Sequence, residues 1–109
     1  MTDRIKKLEK RLREHISSWA VSHAGDFPQL VLITIQSIRI SKDLSHAKIA
    51  ISCAQDAKAS VCCLNENAPT IRHYLSKKLS LPRVPKLYFV IDQLHAQLMQ
   101  AQEVINKHQ

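Results

Sequence analysis

Hydrophobic positions recur at helical spacing through the first twenty residues. Ile5, Leu8, Leu12, Ile16 and Trp19 follow one another at intervals of 3, 4, 4 and 3. That spacing lays them along one stripe of an amphipathic helix. The other faces carry Arg4, Lys6, Lys7, Lys10, Arg11 and Arg13 against Asp3, Glu9 and Glu14. These charges suit either a solvated surface with pairs such as Glu9–Arg13 or a peripheral phosphate contact. Thr2 or Asp3 is placed to cap the helix start. Gly25 and Pro28 end the helix, as a C-cap and a stop.

The period then falls to two. Residues 30–41 are rich in β-branched side chains, with Ile33 and Ile35 in one phase and Ile38 and Ile40 in the other. A slip of phase at Gln36-Ser37 without turn residues predicts a β-bulge. Lys42-Asp43-Leu44-Ser45 makes a short hairpin connection. Residues 46–53 alternate, with Ala47, Ile49, Ile51 and Cys53 inward and His46, Lys48, Ala50 and Ser52 outward. This is the pattern of an antiparallel pair covered on one face.

After a charged linker at residues 54–58, a short helix is predicted over 59–67, burying Val61, Cys62 and Leu64. Asn67-Ala68-Pro69 breaks it. A second helix over 70–79 has Pro69 in its first turn and buries Ile71, Leu75 and Leu79. Pro82 and Pro85 hold an extended connection into a third strand at 87–91. Leu94, Leu98, Ala101 and Ile105 allow a closing helix. The predicted organisation is a folded unit over residues 1–92 and a helical tail over 93–109. Three strands with helices on one face make an α+β two-layer sandwich.

Composition narrows the function. The chain has 109 residues, 45% of them hydrophobic, and a single glycine. No glycine-rich phosphate loop fits, so Walker-type and dinucleotide-binding fingerprints are excluded. A formal charge of +7 favours an anionic partner, nucleic acid before all others. No segment joins a basic face to an aromatic-rich apolar one, and no run is long enough to span a bilayer, so no membrane partner is expected. Thr2-Asp3-Arg4-Ile5-Lys6-Lys7 follows Met1 without an apolar stretch, and no secretory leader is expected. Cys53, Cys62 and Cys63 give an odd count with two adjacent, which predicts free thiols in a cytoplasmic protein.

The placement of charge is more telling than its total. Between Glu66 and Asp92 there is no carboxylate, yet Arg72, Lys77, Lys78, Arg83 and Lys86 all fall there. Cations fixed on ordered backbone suit a polyphosphate, because each neutralised phosphate releases condensed counterions. The helix break matters for the same reason. In KH domains the junction between two helices meets the sugar-phosphate backbone. Here Pro69 is expected to free the amides of Thr70 and Ile71, with Asn67 offering hydrogen bonds at the kink.

With these features in place the chain resembles the bacterial ribosome-binding factor A family, whose fold is a type II KH-like domain. The resemblance covers about residues 4–92. It rests on Ile33-Thr34-Ile35-Gln36-Ser37-Ile38-Arg39-Ile40-Ser41-Lys42-Asp43-Leu44-Ser45-His46-Ala47-Lys48-Ile49. It rests also on Leu64-Asn65 with Ile71-Arg72, on Lys77-Lys78-Leu79, and on Arg83-Val84-Pro85-Lys86-Leu87-Tyr88-Phe89. Two departures stand out. The family's small residue, any residue, then Gly at the kink reads Asn67-Ala68-Pro69 here, and its Asp-Pro-Arg-Leu reads Phe27-Pro28-Gln29-Leu30.

The resemblance implies an order of helix, strand, strand, helix, kink, helix, strand, with two strands running parallel. It implies a cytoplasmic, non-catalytic factor, monomeric when free, that binds the small ribosomal subunit and its ribosomal RNA during maturation. The expected RNA contacts are Asn67, Arg72, Lys77, Lys78, Arg83 and Lys86, with Arg39, Lys42 and Lys48 as further ones. A protein-interaction module facing a ribosomal protein or an acidic surface is the alternative. Neither reading needs a cofactor or a small-molecule substrate. Six histidines and three cysteines invite a metal site, but no Cys-x-x-Cys or His-x-x-x-His spacing occurs, and no metal is expected. Scarce aromatics favour recognition of RNA backbone and shape over reading of bases.

Overall fold

A computed structural model describes residues 2–92 apart from Val31, Ser80 and Pro82. The side chains of Thr2 and Asp3, and with them the capping role expected of either, the part played by Pro82 and the closing helix over 93–109 fall outside what is described. The elements are α1 (Thr2–Ser22), a 3-10 turn (Pro28–Leu30), β1 (Ile33–Ile40), β2 (His46–Cys53), α2 (Ala57–Glu66), α3 (Ala68–Leu79) and β3 (Lys86–Ile91). The sheet order is β1-β2-β3, with β1 antiparallel to β2 and β3 parallel to it. A parallel neighbour requires a crossover, and α2 with α3 supplies it.

All three helices cover the same face of the sheet, and one core lies between the layers. The α1 stripe delivers Leu12, Ile16 and Trp19 to it, α3 delivers Ile71, Leu75 and Leu79, and the strands deliver Ile35, Ile38, Ile49, Ile51 and Phe89. Burying each such side chain contributes about 1.5–3 kcal/mol. The bulge explains how isoleucines of opposite phase share that core. Ile35 pairs with Ile51 and Ser37 with Ala50, so Gln36 is the extra residue, and Ile38 returns to the covered face opposite Ile49. Gln36 Nε2 donates to Ser52 Oγ at 2.7 Å, which buries a serine whose phase pointed outward.

Several boundaries move for local reasons. β1 starts at Ile33 rather than Leu30, because Leu30 is taken into the 3-10 turn by its amide bond to the Phe27 carbonyl. The linker at 54–58 is shorter than expected. Asp56 caps α2, its Oδ1 accepting the Ala59 amide at 3.0 Å, and the helix begins at Ala57. The buried face of α2 is Ser60, Cys63 and Leu64, with Val61 only half-buried and Cys62 exposed. The inward placement of Cys62 is therefore corrected. Ser60 reads as polar in sequence, but its hydroxyl donates to the Asp56 carbonyl at 2.9 Å and is thereby satisfied inside the core.

None of the three cysteines is joined in a disulfide. Burial, then the Glu66 carboxylate, pushes the Cys63 thiol up, as suits an inert core cysteine. Cys63→Ser should cost about 1–3 kcal/mol by burying a hydroxyl in an apolar site. Cys62→Ser should stay within about 0.5 kcal/mol of the wild type. Urea unfolding of the two variants checks the assignment, and equal losses would contradict it.

The β1–β2 connection is held by one carboxylate. Asp43 Oδ1 accepts from Ser41 Oγ at 2.7 Å, Ser45 Oγ at 2.7 Å and the Ser45 amide at 3.1 Å. Between these bonds Leu44 takes φ 62°, a left-handed conformation costing about 1–2 kcal/mol outside glycine. The hydroxyl of Ser45, that of Ser41 and the Ser45 amide, in that order, hold the Asp43 carboxyl at about 2, below its ordinary 3.8. A pKa lowered on folding contributes stability above the unfolded value and loses it as pH falls through the folded one. The hairpin contribution should therefore be complete above about pH 4 and fade toward pH 2. In Asp43→Asn that part of the pH profile should be flat, which thermal melts at stepped pH will show.

Candidate nucleic-acid interface

The junction between α2 and α3 is one residue wide. Asn67 sits at φ −96°, ψ 4°, and the helical ladder crosses it. Its amide donates to the Cys63 carbonyl at 3.1 Å, and its own carbonyl accepts the Ile71 amide at 2.9 Å. The amide of Ile71 is thus engaged, which corrects the expectation that it faces a ligand. Pro69 is the cause of the break: it has no N–H for the carbonyl four residues back, and its ring crowds that carbonyl. The Asn67 side chain is also occupied, Nδ2 donating to the Cys63 carbonyl at 2.8 Å. Asn67 Nδ2 is therefore committed to the last turn of α2, and Ala68 opens α3.

The cations separate into groups. Arg72 and His73, on α3, face Leu81, Arg83 and Val84 of the following loop across a cleft of about 370 Å³ that also takes in Pro69 and Ser76. Arg72 Nε donates to the Val84 carbonyl at 3.0 Å, so this arginine braces the loop as well as lining the cleft. The chain approaches β3 through Val84 and Pro85, both buried. At about 100° per residue, Lys77 stands about 40° around α3 from His73, at the border of the cleft, whereas Lys78 stands about 120° from Arg72 on another flank. Lys78 Nζ lies 5.6 Å from the centre of the Tyr74 ring, a cation–π contact on that other flank.

Lys86 belongs to neither flank. It points from β3 to the face of the sheet opposite the helices, where Arg39 and Lys48 stand side by side across β1 and β2. Lys42 is exposed in the hairpin connection. Lys86 shares the acid-free stretch with Arg72, Lys77, Lys78 and Arg83, but side-chain direction turns it to the surface that carries Arg39 and Lys48. Asn65 was missed as a working residue. It sits on α2, and its side chain makes two hydrogen bonds to Phe89 on the free edge of β3, at 2.9 and 2.8 Å. Among the described residues no group of three or more His, Cys, Asp or Glu side chains could hold a metal ion, and no helix is long and apolar enough to cross a membrane.

Two antiparallel strands, a kinked helix pair and a third strand parallel to the second, all after a first helix, follow the order the resemblance implied. A family model described as ribosome-binding factor A matches residues 4–105. The chain belongs to the ribosome-binding factor A family. A ribosome-binding factor A from Dichelobacter nodosus is 30% identical over 95 residues, covering 84% of this chain and 77% of that one. The crystal structure of ribosome-binding factor A from Thermus thermophilus matches with a TM-score of 0.69 at 22% identity, over 79% of this chain and 93% of that one. A Thermus thermophilus ribosome-binding factor A homology model fitted into a cryo-EM map of its 30S complex matches with a TM-score of 0.54 at 23% identity. It covers 59% of this chain and 70% of that one. The α+β, KH-like architecture is thus that of solved ribosome-binding factor A structures. This member of the ribosome-binding factor A family breaks its helix pair with Pro69, and the break is centred on Asn67.

Proposed function

We propose that this chain is a cytoplasmic assembly factor that binds the small ribosomal subunit during its maturation and touches ribosomal RNA through α3 and the loop before β3. The observation that carries the reading is the convergence of Arg72, His73 and Arg83 on one cleft, within a stretch free of carboxylates from Glu66 to Asp92. Family membership supports the ribosomal partner, as does the structural relative fitted into a 30S complex. The contact is chiefly to backbone and shape: arginines brace and clamp phosphates, and His73 is the one aromatic ring in the cleft lining. Lys77 extends the basic surface from the cleft border and Lys78 carries it onto the second flank of α3. The role is binding, with no catalytic step.

Co-sedimentation with purified small subunits over a salt series tests it. Log affinity should fall linearly with log salt, by a slope of about 0.7–0.9 for each phosphate neutralised. Four cations on α3 and its loop then predict a slope of roughly −2.8 to −3.6. A flat salt dependence would point instead to a ribosomal protein as the partner.

A further inference from the structure

The face of the sheet turned away from the helices carries chemistry that the cleft does not use. Register places Arg39 beside Lys48, and Lys48 beside Tyr88, so the three form one row across all three strands. The next row sets His46 beside Lys86, and on the other side Ser37, Ala50 and Val90 make a low, less polar row. Tyr88 is 60% exposed, whereas its neighbour Phe89 is 1% exposed in the core. Arg39 and Lys48 line a shallow depression of about 460 Å³ with that less polar row, and Asp92 is the one carboxylate in its lining.

An aromatic ring held in water on a rigid strand adds little to folding, since its apolar area stays exposed. With Lys48 beside it, Lys86 two residues back on the same strand and Arg39 one strand beyond Lys48, it matches what single-stranded nucleic acid takes up: a stacking platform with cations tracking the backbone. A duplex would find no use for the ring, because its bases are stacked on each other. A peptide strand adding to the sheet edge beside Tyr88 is disfavoured, since both backbone groups of Phe89 are held by Asn65. We propose that this open sheet face is a second nucleic-acid site, which takes a single-stranded RNA segment with one unpaired base on the Tyr88 ring and its flanking phosphates over Arg39, Lys48 and Lys86. The site is separate from the cleft and does not depend on it. It makes the protein a reader of two RNA elements, a structured one by backbone and an unpaired one by stacking.

The test uses the full chain and two labelled probes, an unstructured uridine octamer and a blunt RNA duplex of about 16 bp. Fluorescence anisotropy should show Tyr88→Phe binding the octamer within about twofold of wild type, and Tyr88→Ala binding it roughly 5- to 100-fold more weakly. Lys48→Glu should weaken octamer binding and make its salt dependence shallower. Duplex binding should be unchanged in Tyr88→Ala, and Arg83→Glu should leave the octamer's dependence on Tyr88 intact. Photocrosslinking of a 5-iodouridine octamer to the wild-type chain should label Tyr88, a readout that needs no variant to fold. The proposal is overturned if the octamer does not bind the full chain, if Tyr88→Ala binds it like wild type, if Tyr88→Phe fails as badly as Tyr88→Ala, or if the crosslinks fall only on α3.

Discussion

Replacing Asn65 by alanine should lower the stability of the domain by about 2–4 kcal/mol, a large share of the total for a chain of this size. The side chain bridges two elements that share little else of a polar kind. Nδ2 donates to the Phe89 carbonyl at 2.9 Å while Oδ1 accepts the Phe89 amide at 2.8 Å. β3 is an edge strand, so these backbone groups have no neighbouring strand on that side, and the amide of asparagine completes the ladder in its place. Truncation leaves a donor and an acceptor half-buried beneath α2, each costing about 1–3 kcal/mol if water cannot reach it. Asn65→Asp separates the two bonds. It keeps the acceptor for the Phe89 amide but sets a carboxylate against the Phe89 carbonyl, which raises its folded pKa. Stability contributed by the protonated form is present at low pH and lost as pH rises through that raised value. The gap between Asn65→Asp and wild type should therefore narrow in acid, whereas that of Asn65→Ala should not. Urea unfolding at pH 4 and pH 7 decides it.

Asn65 also shows where the sequence stopped being legible. An asparagine near a helix end reads as a capping residue, and nothing in the local pattern announces a strand 24 positions later as its partner. The elements themselves were legible because their burial is periodic. The α1 stripe, the alternation of β2 and the Ile71–Leu75–Leu79 ridge each repeat enough to overrule single exceptions. The β-bulge was legible from a phase slip alone. α2 was less so, for it is only ten residues long and begins its buried face with a serine. Once Ser60 is taken as a surface residue, the phase turns by one position and Cys62 replaces Cys63 in the core. A hydroxyl that bonds back to its own helix escapes the equation of polar with exposed.

The candidate site divides along the same line. That residues 67–91 hold cations and no acid is a statement about sequence, and it needed no structure. Which of them meet is a statement about direction. Arg72 and Arg83 converge because α3 and the loop after it fold back on each other, pinned by the bond from Arg72 to the Val84 carbonyl. Lys86 departs because it begins a strand whose odd-numbered members face the core. The exposure of Tyr88 follows from the same alternation, yet its place beside Lys48 depends on parallel register that periodicity does not fix.

Reversing the two lysines at the end of α3 should weaken binding to the small subunit by roughly a hundredfold, and reversing Arg83 alone by roughly tenfold, at about 0.1 M salt. Lys77→Glu with Lys78→Glu removes two phosphate contacts and adds two repulsive charges. The salt slope should become shallower by about 1.4–1.8 in the double variant and by about half that in Arg83→Glu. Folding should be nearly unaffected in both, because all three side chains are exposed. The Lys78–Tyr74 contact adds a cost of about 0.5–1 kcal/mol at most. The decisive comparison is Lys10→Glu with Arg11→Glu on the exposed side of α1, which changes net charge by the same amount at another place. If overall charge of +7 were all that draws this protein to RNA, the two double variants would lose affinity equally. If α3 and its loop form the interface, the α1 variant should lose no more than about threefold and keep its salt slope, since contacts rather than net charge set the number of counterions released.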